Sequence, residues 1–252
     1  MTDEAHGTDD TERLDRALVS RGLSPTRARA RDAILRGAVT VDGAPETKPG
    51  RTVGPNATLG IDDPASSFVS RAALKLIAGL DAFGIDPAGA YALDIGASTG
   101  GFTQVLLERG AAHVTAIDVG HGQFVQSLRD DPRVHVIEGL NARDLLASHL
   151  PHAPDLVVTD VSFISLRLAL PPALALAAPE ARAVLLVKPQ FEVGREGVGK
   201  GGIVAPSLAE RAANELREWL DGVPGWRSIG LVPSPIAGGD GNSEWLLGGV
   251  RD

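Results

Sequence analysis

The chain contains no cysteine. That excludes disulfides, thiolate zinc sites and a cysteine nucleophile. No apolar run approaches the roughly 18 residues that a membrane-spanning helix needs. The first ten residues, MTDEAHGTDD, are acidic and polar, unlike a secretory signal. A cytoplasmic protein with no membrane partner is therefore expected. Aromatic residues make up only 4%, too few for an aromatic-rich amphipathic segment that enters bilayers. Lysine is also rare. Lys48, Lys75, Lys188 and Lys200 are the only four among 24 basic residues, and the rest are arginine. Each lysine therefore invites a specific explanation. Apolar residues still reach 43% of 252, enough for one large domain or a large and a small one.

Positive charge is in deficit overall, with a net charge of −8. The deficit is uneven. Residues 1–11 carry four acids and no base, residues 12–61 nine bases and five acids, and residues 62–252 23 acids and 15 bases. A basic module thus sits between an acidic tail, expected to be disordered, and an acidic body. The total argues against a nucleic-acid partner; the distribution does not.

In the basic module, Leu14, Leu18 and Val19 have helical spacing before Arg21-Gly22. Ser24-Pro25 predicts the cap and first turn of a second helix. Ala28, Ile34 and Leu35 would face inward, and Arg27, Arg29, Arg31 and Arg36 outward. Val39–Val41 then reads as a strand entering an Asp42-Gly43 turn. Clustered arginines make a footprint for phosphates, although a solvated helix face is the plain alternative. The series Arg13-Leu14-Asp15, Leu18, Gly22-Leu23, Thr26-Arg27, Ala30, Ile34, Gly37, Val39, Val41-Asp42-Gly43 and Pro49 resembles an S4 RNA-binding domain. That resemblance implies a structured RNA partner and contacts from Arg13, Arg27, Arg29 and Arg31, with Arg71 added from the body.

The body alternates apolar runs with amphipathic stretches. The runs are Ala92–Ile95, Val114–Val119, Val134–Ile137, Leu156–Val161 and Ala183–Val187. Such alternation predicts an α/β fold, a mostly parallel sheet with helices on both faces. Ile229–Val232 and Trp245–Val250 follow with no helix between them, so they are expected to pair antiparallel. This is the order of class I S-adenosylmethionine (SAM) methyltransferases, a likeness of fold that does not by itself prove chemistry.

The first run ends in DIGASTGGFT, residues 94–103. Gly96, Gly100 and Gly101 allow a sharp turn and close approach to a ligand, and a helix start follows. Asp118 ends the second run, where an acid can accept both hydroxyls of a ribose. Three lookalikes compete with this reading. Gly96–Gly100 is a literal G-x-S-x-G, but the last histidine is His152 and a hydrolase needs a later one. Residues 194–201, GREGVGKG, approach a phosphate-binding P-loop but lack its final Ser or Thr. No complete G-x-G-x-x-G occurs at the turn after the first strand, against a dinucleotide oxidoreductase.

Lys75 lies on a helix before the first strand, Asp160 ends the fourth, Lys188 ends the fifth and Glu244 opens the last. Strand ends of this kind border the ligand crevice of an open sheet. A charge leaving an apolar strand is costly unless paired or used. Lys-Asp-Lys-Glu in this order resembles the ribose 2′-O-methyltransferases related to FtsJ. An S4 module followed by SRAALKL, DIGASTGGFT, TDVSFISL, LVKPQFEVGREGVGKGG and GNSEWLL resembles the TlyA (haemolysin A-like) family over about residues 12–250. The resemblance implies SAM-dependent methylation of cytidine 2′-hydroxyls in ribosomal RNA, in the small subunit and in some members the large. Lys188 would deprotonate the hydroxyl, Asp160 orient Lys188, and Lys75 and Glu244 position the ribose. Asp94, Gly96, Ser98, Gly100, Asp118 and Asn141 would hold SAM. The expected boundaries are a linker over 62–69 and a methyltransferase domain over 70–252. Two departures stand out. Ser70-Arg71-Ala72-Ala73 replaces the family's SRGG, and Ser66-Ser67-Phe68-Val69 replaces a basic, aromatic linker. An inactive RNA-binding protein and a haemolysin are the alternatives from other classes.

Overall fold

A computed structural model describes residues 11–252, so the acidic tail expected over 1–11 lies, apart from Thr11, outside the described residues. The chain divides into two compact units between Pro64 and Ala65.

The first unit comprises β1 (Glu12–Arg13), α1 (Leu14–Ser20), α2 (Arg27–Leu35), β2 (Val39–Val41), β3 (Ala44–Pro45), β4 (Thr52–Val53) and β5 (Leu59–Ile61). β2 pairs antiparallel with β3 and β5, and β1 with β4. Asp42 and Gly43 both have positive φ, at 52° and 81°, as a two-residue hairpin turn requires. Leu14, Leu18, Ala30, Ile34, Val39 and Val41 form its core. Two details depart from the sequence reading. Thr26, not Ser24, caps α2, accepting the Arg29 N–H at 3.2 Å. Ser24 instead closes α1, its N–H donating to Leu18 O. The buried face of α2 is Ala30, Ala33 and Ile34, a true i, i+3, i+4 stripe. Ala28 and Leu35, seven residues apart, share the opposite stripe, and Leu35 is 52% exposed.

The second unit holds α3 (Ala73–Phe83), β6 (Tyr91–Ile95), α4 (Gly101–Glu108), β7 (His113–Asp118), α5 (Gln126–Arg129), β8 (Val134–Glu138), β9 (Leu156–Thr159), α6 (Leu166–Ala169), α7 (Pro171–Leu176), β10 (Arg182–Val187), α8 (Pro206–Asp221), β11 (Trp226–Pro233) and β12 (Trp245–Arg251). Its seven-stranded sheet runs β11-β12-β10-β9-β6-β7-β8. β12 is antiparallel to both neighbours; the other pairings are parallel. The last strand thus slots inside the sheet rather than extending its edge.

Alternation along the strands explains the layers. Ile95, Val157, Leu185, Val187 and Leu247 pack with Leu166 of α6 and Ala213, Leu216 and Leu220 of α8. Ala92, Val158, Val184, Leu186 and Leu246 pack with Leu76 and Leu80 of α3 and Phe102 and Leu106 of α4. The segment 65–69 belongs to this unit. Ala65 is buried, Phe68 packs against the second cluster, and Val69 N–H donates to Gln104 Oε1 at 2.8 Å.

Candidate active site

The strand order reverses beside β6, where open α/β sheets bind ligands. Gly96 follows β6 with φ 81°. A Cβ there would stand 2.8 Å from the carbonyl oxygen of Asp160. Glycine therefore lets the first loop press against the end of β9. Ser98 also has positive φ, 47°, and its hydroxyl meets Gln123 Oε1 at 3.2 Å rather than an imidazole. Asp118 takes the N–H groups of Ser98 and Gly120 at 2.8 and 2.7 Å, one on each oxygen. Each oxygen keeps a second lone-pair direction for a ligand hydroxyl.

A cavity of about 1270 Å³ opens here. Gly96, Ser98, Asp118, Gly120, Gln123, Asn141 and Arg143 line it, together with Asp160, Ser162, Phe163, Leu168, Phe191 and Arg195. A smaller cavity of about 160 Å³ shares Gly96, Ser98, Asp160 and Ser162 with it and adds Ser70, Gly101 and Lys188. The GREGVGKG stretch forms short 3-10 turns and no strand–loop–helix, so it is not a P-loop.

Lys188 lines the smaller cavity beside Asp160 and Ser162, which line both. Its Nζ donates to Ser162 Oγ at 2.8 Å. It also lies 2.6 Å from Asp160 Oδ1, an ionic contact without hydrogen-bond geometry. Both side chains remain partly open, at 12% and 18%. Lys75 and Glu244 make a second pair, 2.5 Å apart and nearly sealed at 7% and 2% exposure. The helix face explains this. Gly79 lies one turn beyond Lys75, and a Cβ on it would come 2.5 Å from Val184 of β10. The glycine lets α3 lie on the sheet, which carries Lys75 to the strand ends. Val187 pairs with Trp245, so Lys188 and Glu244, the next residues, meet across that edge. The four residues thus form two ion pairs. Lys188–Asp160 faces the cavities; Lys75–Glu244 lines neither and is nearly sealed.

Asp94, expected to hold a cofactor, is fully buried and lines neither cavity. It accepts the Thr103 hydroxyl at 2.7 Å, tying β6 to α4 beneath the loop. Gly100 lies under that loop against Phe124 and Leu128. Burial pushes the Asp94 carboxyl up to about 7, helped by the charges of Asp160 and Asp118. The folded state therefore keeps a proton that an ordinary carboxyl, at 3.8, gives up. Stability from this group is complete below the unfolded value and is lost as pH rises through the folded one. Asp94→Asn keeps an acceptor for Thr103. It is expected to match the wild type near pH 4 and to exceed it by about 1–3 kcal/mol near pH 8. Urea unfolding at both pH values checks this, and an equal difference at the two would show that Asp94 is ionised throughout.

In the first unit, Arg13, Asp15, Arg27, Ala28, Arg31, Leu35, Pro49 and Gly50 line a depression of about 530 Å³. Buried Asp15 binds Arg13 at 3.1 Å and Arg27 at 2.9 Å. The hydrogen bonds from Arg13 are the main reason its carboxyl stays below the usual range. Arg29 does not line this depression. Arg71, in the other unit, is half-buried with its guanidinium beside Gly239. Phe163 is the main feature missed in the sequence. It is 90% exposed, has φ 67°, and its ring centroid lies 5.3 Å from that of Phe191. The only signal was an aromatic placed just after a strand-ending acid.

This sheet order, glycine loop and acid after the second strand define a class I SAM-dependent methyltransferase. The sequence model for FtsJ-like methyltransferases matches residues 68–251, and that for the S4 domain residues 12–59. The chain belongs to the TlyA family of FtsJ-like methyltransferases with an S4 domain. The Mycobacterium tuberculosis protein named 16S/23S rRNA (cytidine-2′-O)-methyltransferase TlyA is 48% identical over 237 residues, 93% of this chain and 88% of that one. YqxC of Bacillus subtilis is 42% identical over 241 residues, 95% and 86% of the two chains. A solved Streptococcus thermophilus structure bearing the hemolysin name superposes with a TM-score of 0.74 at 38% identity, covering 96% of this chain and 88% of that one.

Proposed function

We propose that the protein methylates the ribose 2′-hydroxyl of cytidine in ribosomal RNA of the small subunit, and of the large subunit as well. The observation that carries this reading is the Lys188–Asp160 pair at the junction of a cofactor-sized cavity and a second pocket. The name of the 48% identical relative supports both subunits as targets.

The cavity residues suit SAM. Asp118 faces it with free acceptor directions, Asn141 and Gly120 flank it, and Asp160 brings negative charge for a cationic ligand. When bound, SAM supplies an electrophilic methyl group. The chain supplies alignment and proton removal. Lys188 takes the 2′-hydroxyl proton on Nζ after its own ammonium, paired with Asp160, has given up a proton to solvent. Asp160 and Ser162 fix that nitrogen in place. Phe163 offers an exposed ring against which a base can stack. Lys75 and Glu244 act from beneath, holding α3 to the sheet edge that carries Lys188.

Tritiated SAM with purified small and large subunits tests the reading. Label on cytidine ribose supports it. SAM binding without label favours an RNA-binding protein that has lost activity, and lysis of erythrocytes by the pure protein favours a haemolysin. Among the described residues, no helix is long and apolar enough to cross a membrane.

The first unit is assigned RNA affinity. A chain of residues 65–252 is expected to bind SAM like the full protein but to methylate subunits at least about tenfold less efficiently. Full-chain affinity for RNA is expected to fall with salt, with a log–log slope of about −2 to −4 for a few arginine–phosphate contacts. Filter binding across a salt series measures it. A truncated chain as active as the full one would overturn the division.

A further inference from the structure

The loop after β9 and the loop after β10 are joined by three successive side-chain links. Lys188 reaches Asp160 and Ser162. Phe191 meets Phe163. Glu192 then accepts the Ser165 hydroxyl at 2.6 Å and the Leu166 N–H at 2.8 Å. The first two links border the large cavity; Glu192 does not. From these contacts, and resting on the reading above, we infer that Glu192 is a positioning residue for methyl transfer, holding the two loops in register so that Lys188 and Phe163 address one nucleotide.

The hydrogen bonding fixes the direction of this clamp. Ser165 caps α6 by accepting the Arg167 N–H at 3.2 Å. Its own hydrogen is therefore free for Glu192. Both carboxylate oxygens of Glu192 are used by the neighbouring loop, one for a side chain and one for the backbone. Burial pushes its carboxyl up, while the bonds from Ser165 and Leu166 oppose that shift. A partly buried acid committed to two donors of one loop is a strong tether, since charge-assisted bonds exceed neutral ones.

Backbone conformation supplies an independent reason for a tether. Phe163 is a bulky residue at φ 67°, in the left-handed region that crowds the Cβ of a non-glycine residue. Such a conformation persists only where its surroundings fix it. The loop is fixed before Phe163 by Lys188 and after it by Glu192. Releasing the Glu192 end allows Phe163 to relax, and Ser162 and Asp160 with it.

Glu192→Ala is expected to lower the single-turnover rate about 10–100-fold at saturating SAM and ribosomal subunits, as a displacement near 1 Å does. The rate is expressed per SAM-binding site, measured by titration, so that misfolded protein does not count. SAM affinity is expected to stay within about twofold. Glu192→Gln keeps one carbonyl acceptor and is expected to recover part of the rate. Ser165→Ala removes one link together with the cap on α6, and its rate per SAM-binding site is expected to fall about threefold or more. A merely structural role would lower the number of SAM-binding sites and leave the rate per site unchanged. Wild-type transfer with rates within about twofold in Glu192→Ala and Ser165→Ala overturns this role alone. No transfer by the wild type overturns the functional reading and this role together.

Discussion

Lys188→Ala is expected to lower methyl transfer to ribosomal RNA by about 10²–10⁴-fold, the usual range for loss of a general base. SAM affinity is expected to survive. The residues suited to holding SAM lie around Gly96, Asp118 and Asn141, and Lys188 does not line the large cavity. Its Nζ is instead fixed by Asp160 and Ser162 in the smaller one. Removing Nζ takes away the proton acceptor and frees Asp160 to move. Lys188→Arg separates these effects. Arginine restores a cation for Asp160 but cannot give up its proton in a protein. It is expected to be as inactive as alanine while keeping the fold. Single-turnover tritium transfer measures the rate and calorimetric titration measures SAM. Activity above about a tenth of wild type in the arginine variant would remove Lys188 from the proton transfer.

The second large effect is on stability. Lys75→Met or Glu244→Leu alone is expected to destabilise the second unit by about 3–5 kcal/mol, because each leaves a sealed charge without its partner. The pair is 7% and 2% exposed, so water cannot replace the missing group. The double variant removes both charges and is expected to regain most of that stability, as apolar replacements of buried pairs often do. Its activity indicates whether the pair matters beyond packing. If Lys75 and Glu244 only hold α3 to the sheet edge, the double variant recovers methyl transfer along with stability. If they also set the electrostatics around Lys188, it folds but stays slow. Urea unfolding and single-turnover rates on the same samples provide both readouts. Single variants as stable as wild type would show that the pair is not sealed in solution.

Much of the fold was legible because the central strands are buried on both faces. Val, Ile and Leu runs with helices between them leave few arrangements other than a covered parallel sheet. The first unit was legible for a different reason. Its Asp42-Gly43 turn and helix-ending glycines need backbone conformations that few residues supply. The errors came where two residues compete for one task. Ser24 and Thr26 are both good caps, and only the close of α1 onto Leu18 assigned Ser24 to the earlier helix. Ala28 and Leu35 have the composition of a core stripe but the wrong phase.

The site divides in the same way. Asp118 and Gly96 sit where their spacing along the chain put them, because that spacing is set by a single strand–helix–strand unit, β6–α4–β7. Asp94 shares the motif but turns away beneath the loop to Thr103. Spacing does not encode which side of a strand end a carboxylate takes.

The sequence alone determined that this chain has a basic S4-like module before an α/β methyltransferase-like body, and which four charged residues end its strands and helix. It did so because alternation, glycine turns and strand-ending charges are local properties. Only the tertiary structure decided that those four residues form two pairs with different fates, one open to the cavities and one sealed. That depends on the approach of α3 at Gly79 to β10 and on β12 slotting between β10 and β11. Both are contacts between distant segments, where burial sets how strongly a charge depends on its partner.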